Sequence, residues 1–436
     1  MCEAEDVSLC DLGAFGATDD AGAAQLVLTY HDTEVGRLSM HLLHEGIPTP
    51  TREASWTTPT DASNTPPGKP DEPDIASTLL ALLAHPNIAS KHWIVRQYDH
   101  EVQGGSVVKP LVGPAQDGPS DAAVLRPKLG SDRAIALACG MQPGIGEKTP
   151  GGDSYQAALA GIDETVRNLV CVGADPARIA ILDNFCWPSC DDPRNLGALV
   201  RAAEACYDGA LAYRTPFVSG KDSLNNQFTT DDGKVIAIPP TLLISGLGIV
   251  PDCTRARTMD AKQAGNLLLV VGRTSSALGG SHYAMRFGAA TRDASIPCVD
   301  LAAGPANATV VAGLIGRRLV QSAHDCSDGG LLVAAAEMAF AGRVGLDLDL
   351  DALPATRALD DHTACFAETA SRYLLEVRPD DFHAVADALR QANVPFGQIG
   401  TFAEHDRLTV RSPRAGRLAD AALDTLRDAW RQPLDW

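Results

Sequence analysis

The stretch GGDSYQAALAGIDETVRNLVCVGADPARIAILDNF (151–185) decides the fold that the sequence predicts. Its first half predicts a helix, because Asp153 can cap it after two glycines and apolar residues then recur at helical spacing. Asp163 and Arg167 are spaced for an i,i+4 ion pair on another face of that helix. The apolar run RIAILDNF (178–185) then predicts a strand. A helix that leads directly into a strand is typical of a mixed α/β domain.

Similar patterns continue on the carboxyl-terminal side of this stretch. A second helix is predicted near 194–209, where Gly209 would end it, and a strand is predicted over 241–250. A further series of elements begins at about residue 255 and predicts a second α/β domain. These elements are a buried strand, a buried helix, two more strands and an amphipathic helix, at 266–272, 331–342, 345–350, 371–377 and 419–432.

The amino-terminal part predicts a β-hairpin rather than a whole domain. QLVLTY (25–30) and VGRLSMHLL (35–43) partly alternate apolar and polar residues across a polar turn. A lone hairpin is marginal in water, which suggests that a larger body precedes it. The sequence WTTPTDASNTPPGKPDEPD is rich in Pro, Thr, Asp and Ser and predicts a linker. The predicted divisions are therefore a remnant of a preceding domain, a linker, and two domains, at 1–55, 56–74, 75–254 and 255–436.

Composition narrows the function classes. The chain has 436 residues, of which 45% are hydrophobic and 21% charged, the profile of a soluble globular protein. A formal net charge of −19 argues against a nucleic-acid binder, which needs clustered Lys and Arg. No apolar run approaches the ~20 residues that cross a bilayer, and the first residues lack the layout of a signal peptide. With 11 cysteines in no compact framework, these features predict reduced thiols and a cytoplasmic location without a membrane partner.

Polar, glycine-bearing segments carry the candidate chemistry, although the sequence has neither a P-loop nor a GxGxxG between a strand and a helix. RQYDHEVQGG (96–105) and GPSDAAVLRP (118–127) combine carboxylates and cations that suit phosphates and a hard metal. The alternative is a solvated loop whose charges pair among themselves. The residues concerned are Arg96, Asp99, His100, Glu101, Lys109, Asp121 and Arg126.

Two more segments place polar residues after apolar runs. Asp183 directly follows such a run, so its carboxylate is expected at a strand end, where ligand sites of α/β proteins gather. The alternative is an Asx-type turn that closes the strand. In TPFVSGKDSLNN (215–226), a Ser-Gly turn is expected to let the backbone approach an anion, beside donors and acceptors that suit a phosphate–metal pair. The alternative there is a polar hairpin turn.

The segment HDCSDGG (324–330) precedes an apolar helix. Asp325, Ser327 and Asp328 are natural N-cap residues, and capping is the favoured interpretation. His324 is interpreted as a satisfied core histidine rather than a catalytic one.

Six segments, in order and spacing, resemble the second half of phosphoribosylformylglycinamidine (FGAM) synthase, a family of purine biosynthesis related to aminoimidazole ribonucleotide synthetase. They are RQYDHEVQGG, GPSDAAVLRP, DETVRNLVCVGADP, LDNFCWP, PFVSGKDSLNN and HDCSDGGLLVAAAEMA. The family has two repeated pairs of α/β domains. The resemblance implies a PurM-like tandem of an N-terminal, dimer-forming α/β domain and a C-terminal α/β domain, preceded by the tail of the first repeat.

The resemblance also implies a reaction, ligands and partners. The family enzyme uses ATP and Mg²⁺ to phosphorylate an amide oxygen of formylglycinamide ribonucleotide, and ammonia then displaces phosphate to leave the amidine. Where the subunits are separate, ammonia comes from a glutaminase subunit, and a small adapter subunit is present. The implied ligands are ATP or ADP, Mg²⁺ and a phosphoribosyl substrate.

Residue by residue, the resemblance implies few contacts in this chain. Asp183 and Gly220 match nucleotide-contacting positions, and Ser223 matches a substrate-contacting one. A metal-binding Asn of one common family variant is replaced by Lys221, which cannot ligate Mg²⁺ while charged. Asp222 is the candidate metal ligand in its place, and the alternative is that Lys221 itself contacts a phosphate.

The family's catalytic histidines and several metal carboxylates lie in its first half, so no catalytic residue is expected in this chain. We therefore expect the chain to be inactive alone and to need the missing N-terminal half. Two alternatives stay open: a non-catalytic ADP-binding scaffold subunit, and an ATP-dependent enzyme similar to aminoimidazole ribonucleotide synthetase.

Overall fold

The computed structural model describes residues 2–46, 49–59, 74–146, 149, 151–288 and 293–435. The chain divides into two compact units, Met1–Glu53 and Ala54–Trp436. Among the described residues, no helix combines the length and the apolar character that a membrane crossing requires.

The first unit contains the predicted hairpin. Strand β1 (Gln25–Tyr30) pairs in antiparallel fashion with β2 (Thr33–Ser39), and a short helix α1 (Met40–His44) follows. The second strand is shorter than the sequence predicts, because the backbone turns into α1 after Ser39. Leu28 and Tyr30 are exposed within this unit.

The second unit begins with a segment that packs on the domain that follows it in the chain. The Ser55 amide donates to the carbonyl of Pro193 at 2.9 Å. The Arg201 guanidinium lies over the Trp56 ring, and its carbon is 5.4 Å from the centre of that ring. The predicted linker is therefore packed at its beginning, over residues 56–59, and residues 60–73 lie outside the described part of the chain.

An antiparallel-rich sheet with two long helices forms the first half of this unit. Its six strands have the order β3-β4-β5-β10-β6-β7, and only β6 and β7 are parallel neighbours. The strands are β3 (Ser106–Val108), β4 (Ala123–Leu125), β5 (Ala134–Gly140), β6 (Ile179–Cys186), β7 (Phe217–Ser223) and β10 (Thr241–Val250), and β8 (Gln227–Thr229) and β9 (Val235–Ala237) form a separate hairpin. The helices are α2 (Ile75–Leu83), α3 (His92–Val95), α4 (Ser154–Cys171) and α5 (Pro193–Tyr213).

The predicted helix and strand at 151–185 are confirmed as α4 and β6. The Asp153 carboxylate accepts from the Tyr155 amide and caps α4. Asp163 and Arg167 do pair, at 2.8 Å, but both side chains are buried, with exposures of 1% and 4%. The predicted end of the next helix at Gly209 is wrong, because Gly209 packs closely against Leu159 and Ile162 while α5 continues to Tyr213.

A seven-stranded sheet covered by helices forms the second half. The strand order is β12-β14-β11-β15-β13-β16-β17, with only β13 and β16 parallel. Its strands are β11 (Leu267–Val271), β12 (Ser322–Asp325), β13 (Gly345–Asp349), β14 (Tyr373–Val377), β15 (Phe396–Ala403), β16 (Arg407–Ser412) and β17 (Gly416–Ala422). Its helices are α6 (His282–Phe287), α7 (Ala303–Gly316), α8 (Gly330–Gly342), α9 (Asp361–Phe366), α10 (Phe382–Gln391) and α11 (Leu423–Arg431).

Most predicted elements of this half are confirmed. The buried helix is α8, whose residues are nearly all inaccessible to solvent. The carboxyl-terminal helix is shorter than predicted, because residues 419–422 complete β17 before α11 begins. Trp430 of α11 packs on Phe340 of α8.

Two helical glycines make a matched test of how the segment around Ser55 packs on α5. A Cβ at Gly197 would overlap the backbone of Ser55, whereas a Cβ at Gly313 in α7 would meet open space. We expect Gly313→Ala to raise the free energy of unfolding by about 0.5–1 kcal/mol, through helix propensity alone. Gly197→Ala should lower it by about 1 kcal/mol or more, because the 54–59 backbone must move. Denaturant unfolding of both variants measures this, and equal gains would contradict the packing of Ser55.

Candidate functional site

The predicted nucleotide-binding residues lie side by side on β6 and β7. Asp183 is inside β6, not at its end, and Gly220 to Ser223 continue β7 rather than forming a turn. Both corrections have one cause: the backbone of β7 pairs in parallel with β6 through Ser223. Strand β7 is an edge of the sheet.

Asp183 and Gly220 are direct neighbours across the two strands. A Cβ at Gly220 would lie 2.6 Å from Oδ1 of Asp183, so glycine leaves room for this carboxylate. The Lys221 amide donates to Asp183 Oδ1 at 3.3 Å. Burial raises the pKa of Asp183, and the charge of Asp222 raises it further. Asp183, Gly220 and Asp222 thus form one group on the α-helical face of the sheet.

Ser223 and Lys221 lie on the other face, because successive side chains of a strand point to opposite sides. The Lys221 ammonium contacts the Ser223 hydroxyl there. A ligand that touches Asp222 and Ser223 together must therefore lie around the free edge of β7. The structure brings Asp183, Gly220 and Asp222 together and separates Ser223 from them.

The segment 96–105 fits the self-paired alternative. Lys109 forms an ion pair with Glu101, and the Asp99 carboxylate accepts from the Glu101 amide. Both acidic residues are exposed. Of the charged residues predicted in segments 96–105 and 118–127 and at Lys109, Asp121 alone enters the buried cluster described next.

A buried cluster of charged side chains joins the two halves of the second unit. It contains more carboxyl groups than cations, and it draws on the segment before β4, on strand β12 and on helices α4, α6 and α8. Its members are Asp121, Asp163, Glu164, Arg167, His282, His324, Asp325, Asp328, Glu337 and Glu368.

The capping role predicted for Asp325, Ser327 and Asp328 is wrong. The N-cap residue of α8 is Gly329, in the left-handed region with φ of 78°, and no side chain caps the helix. Asp325 ends β12 and is 3.3 Å from Arg167. The Asp328 carboxylate accepts from the side-chain amide of Gln142 at 3.1 Å. These side chains therefore point into the cluster instead of back onto their own helix.

His324 is a satisfied core histidine, as the sequence predicts. Its Nδ1 lies 2.8 Å from Asp121 and its Nε2 lies 3.1 Å from Glu337. Burial alone would lower the pKa of His324, but the two carboxylates outweigh it and hold the pKa well above its usual range. Both ring nitrogens are thus committed to carboxylates.

Asp121, His324 and Asp325 form a candidate cation site, with ligand atoms within 4.8 Å of one another. Oδ2 of Asp121 and Oδ2 of Asp325 are buried and have no hydrogen-bond partner among the described residues. Burial raises the pKa of Asp325 to about 7. Unsatisfied buried carboxylate oxygens are the donor set that a hard divalent cation such as Mg²⁺ prefers.

His282, Asp328 and Glu368 form a second candidate set. His282 Nδ1 is 3.0 Å from Glu368, and its Nε2 is 3.0 Å from the Asn87 amide. Burial lowers the pKa of His282, but Glu368 and Asp328 outweigh it and raise it to about 9. His282 is therefore an imidazolium at neutral pH. This second set leaves less negative charge for a cation than the set of Asp121, His324 and Asp325 does.

Comparison with known proteins identifies the family. A model described as "AIR synthase related protein, N-terminal domain" matches residues 119–250, and one described as "AIR synthase related protein, C-terminal domain" matches 263–412. The chain belongs to the AIR synthase related family. The predicted mixed α/β tandem is confirmed by these two matches.

Curated relatives confirm the resemblance to FGAM synthase. The chain is 36% identical over 372 residues to phosphoribosylformylglycinamidine synthase subunit PurL of Deinococcus radiodurans, covering 84% of this chain and 47% of the relative. It is 34% identical over 339 residues to the same subunit of Alkaliphilus metalliredigens, covering 76% and 42%. The chain thus spans about half the length of the curated relatives it matches.

Solved structures share the fold. Thermotoga maritima PurL complexed with FGAR superposes with a TM-score of 0.60 at 17% identity, covering 82% of this chain and 54% of that one. PurL complexed with ATP gives 0.60 at 16%, covering 82% and 52%. A HypE–HypF complex gives 0.52 at 15%, covering 70% and 92%. These likenesses show the architecture of the chain.

The buried carboxyl groups predict how stability depends on pH. Burial, together with the negative charges of Asp328 and Asp325, raises the pKa of Glu164 to about 8. A carboxyl group whose folded pKa lies above its unfolded value stabilises the fold at low pH, and this contribution is lost as pH rises through the folded pKa. Asp325 and His282 change the stability in the same direction, because their folded pKa values are raised to about 7 and about 9.

We therefore expect the melting temperature to fall between about pH 6 and pH 9. In Glu164→Gln, which stays neutral throughout, the fall should be smaller. Thermal melts in matched buffers measure both curves. A melting temperature that rises over this interval would contradict the burial of these groups.

Proposed function

We propose that this chain supplies one AIR-synthase-related domain pair to an FGAM synthase. The enzyme would convert formylglycinamide ribonucleotide, ATP and glutamine-derived ammonia to formylglycinamidine ribonucleotide, ADP and phosphate in purine biosynthesis. The observation that carries the proposal is the 36% identity with Deinococcus radiodurans PurL over 84% of the chain. Both family domains also match in order along this stretch.

An exposed sheet face supports the need for a second domain pair. On the side away from α4 and α5, Leu137, Leu182 and Leu247 are exposed by 40%, 36% and 41%. They come from neighbouring strands β5, β6 and β10, and Leu137 is paired directly with Leu247. A contiguous apolar face of this kind marks an interaction surface. We propose that the other half of the synthase covers it.

The residues on β6 and β7 take the roles that the family resemblance implies. Asp183 and Gly220 would contact the nucleotide, and Ser223 would contact the phosphoribosyl substrate. The closeness of Asp183, Gly220 and Asp222 supports a shared ligand on that face. Asp222 would be a metal ligand beside Asp183, on the face opposite to that of Lys221, whose position corresponds to the metal-binding Asn of the family variant. We assign no catalytic residue to this chain.

The buried cluster would hold Mg²⁺ through Asp121 and Asp325. Their unsatisfied Oδ2 atoms support this role. Bound Mg²⁺ would offset the negative charge of a nucleotide phosphate group. His324 lies between Asp121 and Glu337, with one ring nitrogen on each carboxylate, so it would orient Asp121 rather than ligate the cation.

We further propose the partners and location of the family. A glutaminase subunit would deliver ammonia and a small adapter subunit would join the complex, in the cytoplasm. A solved complex described as "PurLQS from Thermotoga maritima" has a TM-score of 0.57 to this chain, at 17% identity, covering 74% of it and 48% of that chain.

Reconstitution tests the proposed activity. The chain is mixed with a separately produced amino-terminal half of Deinococcus radiodurans PurL, formylglycinamide ribonucleotide, ATP, MgCl₂ and ammonium chloride, and phosphate and amidine formation are measured. We expect turnover in the mixture and none with either half alone. Full-length Deinococcus radiodurans PurL is the positive control. No turnover in the mixture, together with ADP binding by the chain, would favour the scaffold alternative.

The second alternative makes a different expectation. An enzyme similar to aminoimidazole ribonucleotide synthetase would hydrolyse ATP with formylglycinamidine ribonucleotide as its substrate, without the other half. ATP turnover by the chain alone with this compound, and not with formylglycinamide ribonucleotide, would overturn the proposed reaction.

A substitution at Asp183 tests the nucleotide site. We expect Asp183→Ala to weaken ADP binding by about tenfold, because a charged acceptor is lost beside Gly220. The melting temperature should change little, since the carboxylate is only half-buried. Asp231→Ala, in the exposed loop between β8 and β9, is the matched control. Calorimetric titration measures affinity, and an unchanged affinity with a large fall in melting temperature would show a structural role instead.

A further inference from the structure

Asp163 is the point where helices α4 and α5 meet the loop before β14. Its carboxylate accepts from the Tyr213 hydroxyl at 2.5 Å, and from the Ser371 amide and hydroxyl at 2.8 and 2.6 Å. It also pairs with Arg167 at 2.8 Å. All of these side chains are buried. Asp163 therefore has a full set of partners from both halves of the unit.

Arg167 is shared between Asp163 and the candidate cation site. One terminal nitrogen lies 2.8 Å from Asp163 and the other lies 3.3 Å from Oδ2 of Asp325, and neither ion pair has the geometry of a hydrogen bond. The nitrogen near Asp325 is 3.5 Å from the Ser327 hydroxyl. Asp325 is therefore only partly neutralised, and this oxygen is one of the two that a cation would use. A guanidinium and a divalent cation compete for the same carboxylate.

The backbone around Asp163 is arranged to hold it. A Cβ at Gly304 would overlap the Tyr213 hydroxyl, so glycine at this position in α7 makes room for the bond to Asp163. Ser371 has a φ of 61°, in the left-handed region that non-glycine residues rarely adopt. This conformation aims its amide at Asp163. Strain of this kind persists where the surrounding structure over-determines it.

We propose that Asp163 is a positioning residue for cation binding. By holding Arg167, it prevents the guanidinium from pairing fully with Asp325 and keeps the Asp121 and Asp325 oxygens available to a divalent cation. This role rests on the proposed Mg²⁺ site. Tyr213 moderates it, because its hydroxyl draws charge from Asp163 and weakens the hold on Arg167.

The proposal predicts that some substitutions lower the affinity for the cation and that others raise it. In Asp163→Asn, Arg167 loses its first partner and moves onto Asp325, so affinity for the cation falls by about tenfold or more. In Arg167→Gln, the competing cation is gone and affinity rises above that of the unaltered protein. In Tyr213→Phe, Asp163 keeps more charge and affinity is equal or higher. The double variant Asp163→Asn with Arg167→Gln recovers the affinity that Asp163→Asn loses.

Calorimetric titration of the chain with MgCl₂ and with MnCl₂ tests these expectations, with a thermal melt of each variant. Asp231→Ala is the control, because it removes one carboxylate from the exposed loop between β8 and β9 and leaves the partners of Asp163 intact. We expect it to keep the affinity of the unaltered protein. If Asp163→Asn fails to fold, Arg167→Gln still decides the sign.

The outcomes separate this inference from the proposed function. Binding by the unaltered protein, with an unchanged affinity in Asp163→Asn or a double variant no better than Asp163→Asn, overturns the positioning role and leaves the cation site standing. An unchanged or lower affinity in Arg167→Gln also overturns it. No binding of either ion by the unaltered protein overturns the Mg²⁺ site and this role together, whereas FGAM synthase turnover on reconstitution is measured independently.

Discussion

The charge of Arg167, buried where the two halves of the second unit meet, constrains the rest of that unit. A buried guanidinium is costly unless carboxylates surround it. Its partners come from different elements: Asp163 from its own helix α4 and Asp325 from the end of β12. Satisfying this one charge therefore fixes the position of β12 and α8 against α4. The bonds of Ser371 and Tyr213 to Asp163 extend the same constraint to β14 and α5.

The cluster around Arg167 has more carboxyl groups than a stable core needs. Glu164, Asp325 and Asp328 all have raised pKa values because burial and their mutual repulsion disfavour the charged forms. A protein that gains nothing from such an arrangement would be more stable with apolar residues in these places. The excess of carboxylates is instead what a divalent cation requires, and this supports a ligand role for the cluster.

A second polar region, on β6 and β7, has a different physical character. It lies at the edge of its sheet, half-exposed, and alternation divides its residues between two faces. One of those faces continues into the exposed apolar surface around Leu182 and Leu247. If a second domain pair covers this surface, as we propose, Ser223 lies beside that contact. The buried cluster and the strand edge would then serve ligands of one enzyme from separate positions.

The sequence by itself determined the elements whose signals are local. Asp153 and the apolar spacing predicted α4, alternation and apolar runs predicted β6, β10 and β11, and the ordered motifs predicted the family. The tertiary structure decided what depends on distant pairing. Strand β7 runs through Gly220 to Ser223 because β6 supplies its hydrogen bonds. Asp325 contacts Asp121 across about two hundred residues, so its local pattern, which resembles a helix cap, carried no sign of that partner. Local patterns report backbone preferences, whereas the partners of a buried charge are set by the packing of the whole domain.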